Sequence, residues 1–462
     1  MIGEALEILA GWSRLDTAII LTAAVAAMAC AVPGVFLVLR RQSMMGDALS
    51  HAVLPGIVLA YLATHAAQSA GWISAEGYLA TRHTALFAGA VVLGMLTAVL
   101  TQAVRRLGRV EDNAALGVVF SSLFALGLLL VRLAADHVHL DPDWVLYGNL
   151  ESAVLDTVAG TAIPRAAVVV GAMLTVNLLL VAIFFKELRI VTFDPALATT
   201  LGIPAQAVHY ALLAVTAATL VAAFESVGSI LVIAMLIVPA VTAALLTQRL
   251  GPMILVSLAA AAASAPLGHV LAIVAPPLIF GRLGYPTVVD ASTAGMTAVA
   301  AGLFLVAAVL LAPGDGLVSR ALVRRLLSWR IAGEDFLGIL HRAEERGIAE
   351  PAAVRHILDT VYGTGRLSRR WIEWRLRRAG LIVAAQGRYQ LTEPGRTVAR
   401  SLVRSHRLFE TYMARHFPLP DDHLHATAER VEHFIDPVLR DSLAAELDQP
   451  RSDPHGTAIP DD

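Results

Sequence analysis

The chain is poor in cysteine, in charge over its first two thirds, and in the motifs of soluble catalysis. Cys30 is the single cysteine in 462 residues, so no intrachain disulfide can form and the compartment is not written in the thiols. No G-x-x-x-x-G-K-[ST] phosphate loop exists, and the nearest glycine pair, Gly363 and Gly365, lacks the lysine. Any ATP hydrolysis must then come from another polypeptide. No H-E-x-x-H is present either, and Glu432-His433 is not that motif, which excludes an intramembrane metalloprotease of that kind. No nucleophile–base pair stands out, so an active site within this chain is not expected. The N-terminus has no basic n-region and no small-residue cleavage site, so its first apolar run reads as an anchor.

What is present is apolar. Hydrophobic residues make up 57% and charged residues 16%, with mean hydropathy +0.67, values that point to an integral membrane protein. The bias is uneven. Residues 1–315 carry long apolar runs, and 320–462 are rich in Arg, Glu, Asp and His; the net charge of −2 conceals a basic block against an acidic tail.

A bilayer-spanning helix needs about 20 mostly apolar residues. Such runs lie near 17–39, 48–67, 84–104, 114–135, 164–185, 209–224, 227–247, 253–277 and 292–312. Only Glu225 and Ser226 separate 209–224 from 227–247, so the count is eight or nine. Basic residues follow alternate runs: Arg40 and Arg41, then Arg105, Arg106 and Arg109, Lys186 and Arg189, Arg249, and Arg320, Arg324 and Arg325. The loop from Asp136 to Ser152 has acids and histidines but no base. Nine crossings satisfy this asymmetry and put the C-terminus in the cytoplasm.

At the mouth of the second run Asp47 and His51 stand four residues apart, on one helical face. Ionisable groups at membrane depth usually line a polar path or site, and Asp with His suits a divalent transition metal. A helix cap beside an interfacial histidine is the bland alternative. Glu225, in FESVGSILVIAMLIVPA, is a third ligand, a gate, or a cap for the next helix. His209, His269 and Asp290 sit at span edges, where interfacial placement is expected. The connection 184–207 is amphipathic, with Lys186, Glu187, Arg189 and Asp194 before an alanine-rich helix ended by Gly202 and Pro204. It is either a docking surface for a soluble partner or an ordinary interfacial helix.

Three stretches in order, LVLRRQSMMGDALSHAVLPGIVLAY, FKELRIVTFDPALATTLGIP and FESVGSILVIAMLIVPAVTAALL, resemble the permease subunits of ABC importers for zinc, manganese and iron, over about residues 10–315. The resemblance implies an ion received from an extracytoplasmic solute-binding protein, and a homodimer or a heterodimer with a second permease. It implies an ABC ATP-binding subunit docked on the helix matching about Thr192–Leu201, with Asp194, Pro195, Leu197 and Leu201 as contacts. It also places Asp47 and His51, with Glu225, on the ion's route.

Beyond a basic linker over 316–332, residues 333–395 read as a winged helix-turn-helix. Helices are predicted over 334–347, 352–362 and 368–379, and 381–391 alternates like a two-stranded wing. Arg369, Arg370 and Arg375 would face DNA or phosphate; anionic lipid or plain solvation are alternatives, and DNA is the less expected partner. Residues 396–462 hold His406 and Glu410 at i and i+4, then His425, Glu429, Glu432 and His433 at offsets that keep one helical face. Imidazole with carboxylate and no thiolate suits manganese, iron(II), cobalt or zinc; a solvated polar face would show the same spacing.

The tail resembles the diphtheria toxin repressor and manganese transport regulator family, through HRLFE, HATAERVEHFID and DPHGTAIP. The resemblance implies metal ligation by His406, Glu429, Glu432 and His433, and a second site of His406, Glu410 and His425. It implies dimerisation through helices near 402–417 and 429–439. Glu429 stands where the iron branch has a cysteine, which favours manganese over iron, with zinc also open. Asp335 matches a ligand aspartate of the manganese branch; Gly338 replaces its ligand glutamate, so one ligand is missing. The resulting expectation is an all-α polytopic membrane domain followed by a mainly α cytoplasmic tail with a winged-helix part and a helical metal-binding and dimerisation part. A metal importer's permease with a sensing tail is the leading reading. The rivals are a membrane-tethered, metal-responsive DNA-binding regulator and an ion-coupled secondary transporter.

Overall fold

The computed structural model describes residues 10–133, 150–158, 161–281, 283–285, 287, 290–314, 316–347, 366–385, 388–417 and 420–461. Most of the acidic loop from Asp136, the helix predicted over 352–362, and the side chains of Glu225 and Arg369 lie outside that description. The chain forms two compact units, 1–319 and 320–462.

In the first unit α1 (Arg14–Leu39) opens on a capping box: Ser13 Oγ accepts from the Asp16 N–H, and the Asp16 carboxylate accepts from the Ser13 N–H. Its 26 residues extend about 39 Å, enough for a hydrocarbon core of about 30 Å. The next apolar stretch is two helices, α2 (Met44–Ala52) and α3 (Leu54–Ser69). Pro55 has no N–H to give the His51 carbonyl, which ends the first of them. Then come α4 (Ala75–Gly108), α5 (Asp112–Leu133) and α6 (Arg165–Ile183). Two short helices, α7 (Phe185–Phe193) and α8 (Pro195–Thr200), precede α9 (Ala205–Leu246), α10 (Leu250–Phe280) and α11 (Thr293–Leu311).

Eight helical stretches among the described residues are long and apolar enough to cross a membrane, and Leu231–Leu246 is a shorter apolar one. The extra run is thus the second half of α9. The sequence puts the interruption at Glu225 and Ser226, but the helix continues through both. It breaks at Gly228, with φ 74° and ψ 164°, a conformation that is essentially glycine's alone.

Small residues let the helices close. α1 packs on α6, α9 and α10, with Ala23, Ala27, Cys30 and Ala31 buried against Leu213, Ala217 and Leu220 of α9. A Cβ on Gly34 would lie 1.8 Å from the Leu236 carbonyl oxygen, so α1 and α9 touch backbone to backbone, as membrane helices do through glycine. Asn177 of α6 donates to the Ala29 carbonyl at 2.9 Å and to Thr219 Oγ1 at 3.0 Å, binding three helices with one amide. His269 departs from its expected interfacial place. It is buried, with Nε2 3.2 Å from Asp16 Oδ1 and Nδ1 3.0 Å from Thr293 Oγ1, so the carboxylate and hydroxyl supply the partners that water would. His209 is half-buried and Asp290 exposed.

α12 (Leu317–Glu345) starts at the end of α11: the Gly316 N–H donates to the Ala312 carbonyl at 2.9 Å, and Ser319 Oγ to the Leu311 carbonyl at 3.4 Å. The basic linker is therefore helical. The second unit adds α13 (Arg366–Arg378), an antiparallel pair β1 (Ile382–Ala385) and β2 (Arg388–Leu391), α14 (Glu393–His416), α15 (Asp421–Val431) and α16 (Pro437–Glu446). Ile382 faces Leu391 across the pair. Both join a core with Phe336, Leu337, Leu340, Ile372, Leu376 and Ala399. Buried Arg407 grips Glu345 with both terminal nitrogens, at 3.2 and 2.7 Å, and also donates to the Ala458 carbonyl, which fastens the DPHGTAIP segment to α12 and α14.

Gly34→Ala should lower the stability of the membrane unit by about 1–3 kcal/mol, because the added methyl meets a backbone carbonyl that cannot rotate away. Thermal unfolding of the purified chain in detergent reads this, with Gly302→Ala, where a Cβ meets nothing within 4 Å, as the control.

Candidate metal centres

Asp47 and His51 lie on α2, one turn apart, with Asp47 Oδ1 3.4 Å from His51 Nε2. Their side chains are 39% and 30% exposed, so both reach free space. The His51 ring stands edge-on to Phe124 of α5 at 5.3 Å between centroids and tilts against Phe120 at 6.4 Å. α2 is pressed against the second half of α9: a Cβ on Gly46 would lie 2.1 Å from Leu236 Cδ2. Among the described residues no third ligand groups with this pair. Glu225 is on α9, three residues before the break.

In the connection 184–207, Asp194 caps α8 by accepting from the Leu197 N–H at 2.9 Å. Pro195 is the first residue of α8 and is suited to that place. Leu197 and Leu201 are exposed, 48% and 59%, as is Phe193 at 59%, so an apolar strip lies uncovered on a capped short helix.

In the tail, two ligand groups form. His406 and Glu410 project from α14 and His425 from α15. Glu410 Oε1 is 3.1 Å from His406 Nε2 and 2.8 Å from His425 Nδ1, and the two imidazole nitrogens are 2.9 Å apart. The second group is Asp335 of α12 with Glu432 and His433: His433 Nε2 is 3.0 Å from Asp335 Oδ1 and 4.0 Å from Glu432 Oε1. In each group the ligand atoms lie within 4.8 Å of one another, a span one ion can bridge. The donors, imidazole and carboxylate, fit a divalent transition metal. His406 joins the groups, its Nδ1 in short contact with Glu432 Oε2.

The expected single face does not persist. α15 ends at Val431, and Glu432–Phe434 is a 3-10 turn, tighter than an α-helix. The tightening turns Glu432 and His433 inward, their side chains 2% and 3% exposed, while the His425 side chain is 54% exposed. Glu429 is exposed and stands in neither group. Gly338 brings no carboxylate. One turn on, Arg342 holds Nη2 3.9 Å from Glu432 Oε2. Glu334 escaped the sequence reading. Its Oε2 accepts from His433 Nδ1 at 2.9 Å and its Oε1 from Arg330 Nε at 2.7 Å, so it orients the imidazole with Nε2 toward Asp335, as a carboxylate behind a ligand histidine does. Its only sequence signal is the Arg330–Glu334 spacing of four.

Electrostatics follow from burial and pairing. Burial opposes a charge on His433, but hydrogen bonds to Asp335 and Glu334 and the charges of Asp335 and Glu432 win, raising its pKa to about 9. Burial likewise opposes the charge on Glu410, yet His406 and His425 bring it down to about 2. His406 is raised, burial being outweighed by Glu410 and Glu432. On the basic helix α13, Arg370 and Arg375 are exposed, and the Arg375 guanidinium lies 5.5 Å over the Trp371 ring.

Residues 14–277 match the ABC 3 transport family, and residues 392–461 match the iron dependent repressor, metal binding and dimerisation domain. The chain is similar to the zinc transport system membrane protein TroD of Treponema pallidum: 36% identical over 383 residues, 80% of this chain and 96% of that protein. It is similar to the manganese transport system membrane protein MntD of Bacillus subtilis, 36% identical over 307 residues, 66% of this chain and 94% of that one. Among solved structures, PsaBC from Streptococcus pneumoniae in complex with Fab aligns with TM-score 0.52 and 29% identity, over 68% of this chain and 98% of its own.

The raised His433 pKa gives the chelator-treated tail a defined pH response. Its stabilisation is complete below the ordinary value of 6.5 and is lost as pH rises through about 9. Thermal melts between those values should fall by several degrees, and Glu334→Gln should move the loss toward neutral pH. Unchanged melts across that range would refute the coupling.

Proposed function

Since the chain belongs to the ABC 3 transport family, we propose that it is the membrane permease subunit of an ATP-driven importer of divalent transition metals, manganese favoured over zinc and iron, whose cytoplasmic tail senses metal. The i,i+4 pair of Asp47 and His51 carries the transport reading. A carboxylate and an imidazole, 3.4 Å apart and part-exposed within a span, are a site a passing cation can enter and leave. Manganese, zinc or iron is cargo there. Phe120 and Phe124 wall one side of His51. The break at Gly228 leaves α9 free to shift its halves beside α2 as access alternates, with Glu225 close to the hinge in sequence. α8 offers Leu197 and Leu201 to an ATP-binding subunit, which supplies the hydrolysis this chain lacks; an extracytoplasmic solute-binding protein delivers the ion.

In the tail, His406, Glu410 and His425 would hold one ion, and Asp335, Glu432 and His433 another. A bound ion supplies positive charge to carboxylates that otherwise lean on protonated imidazoles. Binding would therefore release protons and draw α14 and α15 onto one centre and α12 and the 3-10 turn onto the other. Because α12 is also the helix that leaves the last span, such a change has a route toward the transporter.

Reconstituted with its partners, the Asp47→Ala, His51→Ala variant should import manganese at least tenfold more slowly while keeping ATPase binding, since each lost charged ligand costs more than about 1.4 kcal/mol. Import at the wild-type rate would remove the pathway assignment. Calorimetric titration of the chain with manganese, iron(II) and zinc should show saturable binding that Glu432→Ala, His433→Ala abolishes. Isotherms unchanged by that variant would remove the sensor assignment.

A further inference from the structure

Among the described residues, nothing holds the His51 imidazole by a hydrogen bond. Its Nε2 is 3.4 Å from Asp47 Oδ1, beyond the usual N–H···O range, and no closer polar partner reaches either ring nitrogen. What the ring touches is α5. Phe124 stands at 5.3 Å between centroids with the planes 66° apart, and Phe120 at 6.4 Å and 32°. The two phenylalanines are one turn apart on α5 and share a face. That face is anchored: Phe120 packs against the core that holds Met45, Ala48 and Leu49 of α2 and Leu116 of α5. An edge-to-face contact is worth enough to favour one orientation of a part-exposed imidazole. The tail shows the other way to aim a ligand. His433 has Glu334 behind it, accepting from Nδ1 at 2.9 Å. Such a carboxylate fixes the ring and also makes the opposite nitrogen a stronger ligand. A phenyl contact fixes the ring and leaves its basicity alone.

We propose that Phe124, braced by Phe120, is a positioning residue of the ion path: it holds the His51 ring with Nε2 turned to the opening shared with Asp47. The role rests on the reading of that pair as the ion's route. Three observations converge on it. The ligand nitrogen is already turned toward its carboxylate neighbour, with no hydrogen bond to keep it there. The rings that do keep it there come from another helix. That helix shares a core with α2, so the contact belongs to the packing of the two. The result is a ligand that is aimed yet weak, as a divalent cation in transit requires; a nitrogen strengthened from behind would hold the ion longer. It also gives α5 a hold on the ion. A shift of α5 along α2 would swing the imidazole away from Asp47 and split the pair that the cation bridges.

The test uses the whole chain in detergent with manganese(II) alone as the probe, because its electron spin resonance reads free and bound ion directly. His406→Ala, Glu432→Ala and His433→Ala are carried throughout to disable the tail groups, and path binding is the part lost with Asp47→Ala, His51→Ala. Phe124→Leu keeps the apolar bulk and removes the ring; Phe124→Tyr keeps the ring. We expect Phe124→Leu to weaken path binding about fivefold, the scale of one aromatic contact, and to remove the nitrogen modulation that a bound imidazole gives in the pulsed spectrum. Phe124→Tyr should keep both, and the thermal melts of the two variants should agree. Unchanged affinity and modulation in Phe124→Leu overturn the proposal. So does an equal loss in Phe124→Tyr, or a loss in Phe124→Leu that comes only with a collapsed melt, since each means ordinary packing. If Asp47→Ala, His51→Ala removes no binding, the ion-route reading itself falls and takes this role with it. If it removes binding that Phe124→Leu leaves intact, only the positioning role falls.

Discussion

Three helices meet at Leu236, and the membrane unit depends on how little room they leave there. Its carbonyl lies where a Cβ of Gly34 would be, and its side chain lies where a Cβ of Gly46 would be. α1, α2 and α9 therefore touch at two glycines, with a fully buried leucine between them. In a bilayer no hydrophobic force pulls helices together, so such close packing and shared polar contacts do the work. Asn177 supplies one of the latter. The Asp47–His51 pair sits one residue beyond Gly46, and the break at Gly228 lies eight residues before Leu236. The Asp47–His51 pair and the break of α9 thus flank one close contact along the chain.

The sequence made the large features legible because their causes are local. Span after span is a run of apolar residues, and the basic helix predicted over 368–379 is α13, within two residues at each end. What stayed hidden depends on geometry that periodicity does not carry. The interruption of α9 follows the one residue able to adopt φ 74°, not the polar pair that catches the eye. α2 and α3 divide because Pro55 withholds a single donor. His269 looks interfacial beside apolar neighbours, but its partners Asp16 and Thr293 are distant in sequence, 253 and 24 residues away. In the tail the histidines and carboxylates were visible by type and spacing. Their grouping was not: a 3-10 turn after Val431 rotates Glu432 and His433 inward and leaves Glu429 in solvent.

The tail's buried acids explain its protonation. Asp335, Glu410 and Glu432 are at most 8% exposed, and buried carboxylates persist only beside positive charge. Imidazolium groups and Arg342 provide it. Gly338 brings no carboxylate to the second group, and one turn on Arg342 holds Nη2 3.9 Å from Glu432 Oε2. The second group therefore offers three side chains, with Glu334 orienting the His433 imidazole from behind.

His406 is one ring shared by two groups: Nε2 faces Glu410 and His425, and Nδ1 faces Glu432. A neutral imidazole has one lone pair to give and one proton to keep. Whichever group draws the lone pair leaves the other facing an N–H. With the Nε2 lone pair turned to the first group, the proton stays on Nδ1 and is donated to the Glu432 carboxylate, so the tautomer that suits one group also suits the other. One proton on that ring therefore links two clusters that stand on different helices.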